Sequence, residues 1–565
     1  MKLQRAAALA LVSVLPALAL EARTHPYRAK EGMVVSQEKT ASQVGADALA
    51  EGGTAVDAAV ATAFALAVTH PSAGNIGGGG FLVFRAKNGE GVAYDFRETA
   101  PSGASPTMFL NAEGKYDAVR HHSSHLAVGV PGTVAGLNLA WKENGKLPWR
   151  RLLGPAIRLA REGFPLSDGS ARSLKAILTE MKTKKYAASI AAFSKDGVPY
   201  EAGELLKQPD LARTLERIAE KGPAGFYEGE TAELLEREMK AGGGLITRAD
   251  LKAYQAKRRI PVTGSYRGYQ VMGMPPISSG GTVLIEMLNV LEGYDLKDMG
   301  FGSSKSVHVI AEAMRRAFAD RARYLGDPEF NPQQPVARLT SKEYAAELRK
   351  TIREGRASVS SPERFEWPVE SDETTHLSVV DKERNAVSLT YTLEAGYGSL
   401  ITVSGAGSLL NNEMGDFNAG PGLTRPDGLI GTEPNLARPG KRMLSSMTPS
   451  ILSKDGQLFL VIGSPGGRTI INTVLLTILN AIDHGMNVQQ AIDAPRFHHQ
   501  WLPDRIAYEK FGLSPDTIEA LKARGHTLYE IAAQGVAQGI LLNAKEDLLE
   551  GGVDRRAPDS GAAGR

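Results

Sequence analysis

Two hydrophobic patterns alternate along the chain. From Val56 to Ala65, Val-Asp-Ala-Ala-Val-Ala-Thr-Ala-Phe-Ala is apolar nearly all round, which predicts a buried helix. His70-Pro71 ends it, because a residue before proline avoids helical backbone. Asn75-Ile76-Gly77-Gly78-Gly79-Gly80 then leads into the strand Phe81–Arg85. A strand follows these glycines, not a helix, and no Lys-Ser/Thr pair accompanies them. The run therefore reads as a tight turn pressed against neighbouring backbone and not as a phosphate cradle. Residues 140–260 are mostly helical in pattern, with amphipathic stretches at Arg151–Arg161 and Pro209–Lys221. From Ile260 the pattern turns to strand through Tyr266–Val271. Met274–Gly281 is a turn-rich loop, and Thr282–Leu291 a helix.

Residues 353–373 break the alternation with Glu, Ser, Arg and Pro, and read as a linker. Short apolar strands follow at Leu377–Val380, Ala386–Leu393, Ser408–Leu410 and Leu458–Ile462, then a helix over Thr469–His484. The first two strands form a hairpin across Asp381–Asn385. Two registers fit. With 383–385 as the loop, Thr374 faces Glu394 and has Thr392 on its diagonal. With 382–384 as the loop, Thr374 faces Thr392.

Composition narrows the class. The 565 residues are 42% hydrophobic and 23% charged, a globular balance. Lys2 and Arg5, the apolar run Ala6–Leu15 and Ala17-Leu18-Ala19 read as an export signal over residues 1–19, with 22 as the alternative boundary. The expected location is periplasmic or secreted, with no membrane span in the mature protein. Removing that segment takes the formal net charge from +2 to 0, which gives no reason to expect a nucleic-acid partner. There is no Cys, so disulfides, a Cys nucleophile and Cys metal sites are excluded.

Candidate chemistry centres on the hairpin. A Thr hydroxyl needs a base, and its own α-amine supplies one if the chain is cut just before it. Such an amine titrates at about 7.7–8.0. Cleavage of Glu373–Thr374 would create it. On spacing alone the plainer reading, ordinary strand threonines, is favoured. Gly463-Ser464-Pro465-Gly466-Gly467 lies between a strand and a helix and offers either oxyanion donors or a simple turn. Glu413 and Asp416 can hold an ammonium or form a solvated turn. Ser445 and Ser446 can donate to a carboxylate that Arg97 can also clamp, although a lone Arg is more often a surface ion-pair partner. His498-His499 lacks a carboxylate at ligand spacing, so no metal or other cofactor is expected.

Taken together these stretches resemble the γ-glutamyltranspeptidase (glutathione hydrolase) family over nearly the whole chain. The resemblance is carried by Asn75–Phe81, Asp95–Pro101, His125–Ala135, Met274–Gly281, Tyr324–Pro328, Thr374–Val380, Leu410–Phe417, Leu444–Pro449, Gly463–Gly467 and Ala494–Pro503. It implies an α/β N-terminal nucleophile hydrolase fold, a four-layer αββα sandwich. It also implies self-cleavage before Thr374, which would give one intertwined domain from a large subunit (20–373) and a small catalytic subunit of 192 residues (374–565). By position, Thr374 would be the nucleophile, Thr392 its hydrogen-bond partner, and Gly466 and Gly467 the oxyanion hole. Arg97, Ser445 and Ser446 would hold a γ-glutamyl α-carboxylate, and Glu413 and Asp416 its α-amine. The implied partners are glutathione or other γ-glutamyl compounds, with water or an amino-acid or dipeptide acceptor. Two departures stand out. Glu394 occupies a position where the family often has Asn, and Asp427 lies near the place of an aromatic gate in the lid Gly420–Arg438. The tail Gly551–Arg565 is only loosely like the family's. The rival expectations are a β-lactam (glutaryl-type) acylase of the same fold and a non-catalytic binder of γ-glutamyl compounds.

Overall fold

The fold was obtained as a computed structural model, which describes residues 24–361, 374–423 and 431–565. The expected signal, Glu373 before the expected cut, part of the linker and Asp427 lie outside the described residues. Two seven-stranded sheets form the centre. One runs Gly561–Gly564, Met33–Ser36, Thr375–Val380, Ala386–Thr392, Gly79–Arg85, Gly91–Phe96 and Lys257–Arg259, with antiparallel neighbours throughout. The other runs Tyr27–Ala29, Leu548–Val553, Gln538–Asn543, Gln457–Gly463, Ser450–Lys454, Tyr269–Gly273 and Val262–Tyr266. They stack face to face, with Thr375–Val380 and Ala386–Thr392 against Gln457–Gly463 and Gln538–Asn543. Helix Ala55–Thr69 covers the outer face of the first sheet, and helices Gly280–Leu291 and Thr469–Ile482 that of the second. This is the expected αββα sandwich.

The buried helix forms as its composition predicts. Thr54 and Asp57 close a reciprocal capping box, all fifteen residues of Ala55–Thr69 are buried, and His70 caps the end before Pro71. The glycine run makes the close approach read from the sequence. A Cβ on Gly78 would lie 2.0 Å from the Thr392 carbonyl oxygen, and one on Gly80 2.4 Å from that of Thr390. The amphipathic helices fall at Trp149–Glu162 and Pro209–Lys221.

Two boundaries differ from expectation. The second hairpin strand stops at Thr392, because Glu394 turns the chain with φ +78°. Ser408–Leu410 is no strand. Leu409 makes a single bridge to Thr402, in a loop bent by Gly405 and Gly407 at φ +79° and +71°. Leu409 and Leu410 are buried in the main hydrophobic core without belonging to a strand. The tail, only loosely like the family's, supplies an edge strand: Gly561–Gly564 pairs with Met33–Ser36, which in turn pairs with Thr375–Val380.

Candidate active site

The hairpin adopts the second register. Thr375 pairs with Tyr391 and Val380 with Ala386. Asp381 fixes the turn: its Oδ1 accepts from the backbone N–H groups of Glu383 and Asn385, and its Oδ2 accepts from Asn385 Nδ2 and the Ala55 N–H. Thr374 therefore reaches Thr392, with 3.4 Å between their hydroxyl oxygens. Thr392 Oγ1 also accepts the Glu394 N–H at 2.8 Å, so the turn that ends the strand orients the hydroxyl that faces Thr374. Both threonines are buried.

A polar stripe continues inward from them on the same face. His376 Nδ1 lies 2.8 Å from Thr390 Oγ1 and its Nε2 3.1 Å from Ser378 Oγ. Burial pushes the His376 pKa down to about 3, so the ring is neutral.

The glycine turn stands opposite. Gly466 and Gly467 take φ +128° and +52°, a backbone that side chains resist, and Gly467 lines the same cavity as Thr374. Only Arg468, the N-cap, separates them from the fourteen-residue helix Thr469–Ile482. A helix N-terminus favours negative charge, so the turn suits a developing oxyanion. That cavity, about 20 Å³ and wide enough for roughly one water, is lined by Arg97, Thr374, Thr392, Glu394, Glu413, Asp416, Ser445, Ser446 and Gly467, with Met447 and Ile470. Every residue singled out as a site candidate from Thr374 onward meets there except Gly466, one residue back in the turn. Larger clefts, such as one of about 790 Å³ lined by His308 and Arg524, contain none of them.

Arg97 is no surface residue. Fully buried at the end of strand Gly91–Phe96, it donates through Nη1 to Glu413 and through Nη2 to Asp416, while Nε donates to the Met443 carbonyl at 3.3 Å. Burial opposes its charge, but the paired acids Glu413 and Asp416 outweigh that and hold it firmly protonated. Glu98, 3.7 Å away, is driven by burial up to about 8, with only partial relief from Arg97, and so keeps its proton at neutral pH. Burial raises the Glu413 pKa as well, against the pull of Arg97. Arg97, Glu413 and Asp416 are paired with one another.

Sequence reasoning missed two supporting residues. Arg321, buried in helix Ser304–Tyr324, donates through Nη2 to Ser446 Oγ at 2.8 Å and through Nε to Ser279 Oγ at 2.6 Å. A guanidinium only donates, so Ser446 Oγ accepts from it. His122 Nδ1 lies 3.2 Å from Glu394 Oε1. Neither carries a local motif.

His498 and His499 take separate partners, Asn472 with Gln500 and Asp504 respectively. His308, Glu312 and His526 cluster elsewhere, but Glu312 is already held by Arg315, Arg316 and the Ser358 N–H.

A threonine opening a central strand of two stacked sheets, opposite a glycine turn, defines an N-terminal nucleophile hydrolase. The gamma-glutamyltranspeptidase family model matches residues 41–564, and the chain belongs to that family. It is 49% identical over 543 residues to the glutathione hydrolase proenzyme of Escherichia coli K12, covering 96% of this chain and 93% of that one. Among solved structures it is similar to the cephalosporin acylase of Bacillus halodurans, with TM-score 0.85 and 29% identity over 98% of this chain and 99% of that one. It is also similar to the Helicobacter pylori gamma-glutamyltranspeptidase, with TM-score 0.54 and 49% identity over 55% of this chain and 89% of that one.

Proposed function

We propose that the protein is a self-cleaving γ-glutamyltransferase and glutathione hydrolase in which Thr374 is the nucleophile. Hydrolysis of Glu373–Thr374 converts the Thr374 amide nitrogen into an α-amine, the base that the hydroxyl lacks in the uncut chain. The residues before and after the cut become the large and small subunits. Thr374 Oγ then attacks the γ-glutamyl carbonyl and passes its proton to the amine. The N–H groups of the Gly466-Gly467 turn receive the oxyanion. The leaving amine takes the proton, and a γ-glutamyl ester remains on Thr374. Water or an acceptor amine releases it by the reverse sequence.

The observation that carries the substrate class is the pairing of Arg97 with Glu413 and Asp416 beside Thr374. A zwitterionic α-amino-acid head group replaces these contacts one for one. Its carboxylate takes Arg97 and the hydroxyls of Ser445 and Ser446, and its ammonium takes Glu413, Asp416 and Glu394. A glutaryl group supplies only the carboxylate and strands the buried acids without a cation, a large penalty. The cephalosporin acylase likeness supports the rival substrate, and one assay separates the two. Turnover of a γ-glutamyl anilide should exceed that of the glutaryl anilide at least a hundredfold, the scale set by a stranded buried polar group. Equal turnover would overturn the reading.

The segment 1–19 is proposed to direct export to the periplasm or medium and to be removed there. No helix among the described residues is long and apolar enough to cross a membrane. Retention of residues 1–19 on protein recovered from cells would contradict this.

A further inference from the structure

Glu394 lines the nucleophile cavity, but its carboxylate is anchored from outside it. Oε2 accepts from Asn412 Nδ2, and Oε1 meets His122 Nδ1 at 3.2 Å. This contact is closely built. A Cβ on Gly415 would lie 2.4 Å from His122 Nδ1 and 2.8 Å from Glu394 Oε1, so only glycine lets ring and carboxylate meet there. Asn412 fixes both partners, because its Nδ2 also donates to the His122 carbonyl at 3.1 Å while its Oδ1 accepts the Ala395 N–H at 3.0 Å.

The two side chains differ in access to solvent. His122 is 25% exposed and Glu394 4%. The imidazole can therefore exchange protons with solvent while the carboxylate faces the pocket. A neutral ring donating from Nδ1 orients Glu394 without altering its charge. An imidazolium places a positive charge against the carboxylate and competes with a substrate ammonium for it.

We propose that His122 is a positioning residue that aims Glu394 at the substrate amine and, on gaining a proton, withdraws that carboxylate from it. Recognition of an α-amino head group then tightens as pH rises through the His122 titration. This rests on the head-group reading above. Among the described residues, the titratable and charged groups around the pair are Glu413, Asp416 and Arg97 on the pocket side, and Tyr116, Asp117, Arg120 and His121 on the His122 segment. Burial holds His121 neutral and pushes Tyr116 up to about 12, so neither changes charge between pH 5.5 and 7.5. Burial raises the Glu413 pKa, so the diagnostic quantity is the part of the pH dependence that His122→Asn removes. Asn keeps an N–H donor for Glu394 and cannot titrate there.

The experiment is calorimetric binding of L-glutamate and of glutarate to the processed enzyme at pH 5.5, 6.5 and 7.5. Wild type should gain about three- to tenfold in glutamate affinity over this range beyond the gain kept by H122N, the size of one partly buried charge contact. Glu394→Gln should lose the same increment, and glutarate, which has no amine, should show none. An identical pH profile in H122N, or the same gain with glutarate, overturns the proposal and leaves the enzyme assignment standing. Failure of L-glutamate to bind at any pH overturns both.

Discussion

The Thr374 hairpin and the Arg97 pocket meet in one cavity, but they are made differently. Thr374 and Thr392 are brought together by strand register alone, and their neighbours His376 and Thr390 continue the same pairing. The pocket draws Arg97, the Glu413–Asp416 turn and Ser446 from three separate segments and buries charges that need one another. Chemistry that depends on register can lose a side chain and keep its fold. Chemistry that depends on buried charge cannot lose one partner without exposing the other to an apolar surrounding.

Substitutions should separate the two regions by what they damage. The largest effect belongs to Thr374→Ala, which should stay uncut and lose at least about 10⁴-fold in turnover of a γ-glutamyl anilide while folding normally. Next is Arg97→Ala. It leaves Glu413 and Asp416 without their guanidinium, so kcat/KM should fall about 10²–10³-fold and stability by about 3–5 kcal/mol in urea unfolding. Thr392→Val is the contrasting case: kcat falls about 10–100-fold, on the scale of one oriented hydrogen bond in a site, with KM and unfolding midpoint nearly unchanged. A destabilised T392V or a fully stable R97A would erase the distinction.

Acid should find the hairpin through His376. Its folded pKa, about 3, lies below the ordinary value of 6.5, so the unfolded chain binds the extra proton. Stability is then lost as pH falls from 6.5 towards 3, by up to about 1.4 kcal/mol per pH unit for this ring. His376→Asn should flatten that slope in urea midpoints measured at pH 4, 5 and 6, and an unchanged slope would assign the loss to other rings. The smallest effect is Glu394→Asn, which keeps a polar group against Asn412. It should raise the donor KM only a few-fold, because Glu413 and Asp416 still face the ammonium.

What could be read from the sequence follows the same division. The buried helix, the hairpin and the glycine turn are local patterns, and each formed within a few residues of its expected bounds. The register stayed open between Thr392 and Glu394 as the facing residue, because both loop lengths suit Asp381–Asn385. Asp381 decides it by turning its carboxylate onto the loop and onto helix Ala55–Thr69, a contact no local pattern contains. Arg97 looked like a surface ion-pair partner for the same reason, since its acids lie more than 300 residues away. The family resemblance supplied those positions. Arg321 and His122, which act through Ser446 and Glu394, had no signal of their own.

The central claim is a cut at one peptide bond that exposes Thr374. N-terminal sequencing and intact mass of the smaller polypeptide from purified protein test it most directly. The account predicts two chains, the smaller beginning Thr374-Thr375-His376 and running to Arg565, with T374A remaining as one chain. An active enzyme in a single uncut chain, or a smaller chain with any other first residue, would contradict it.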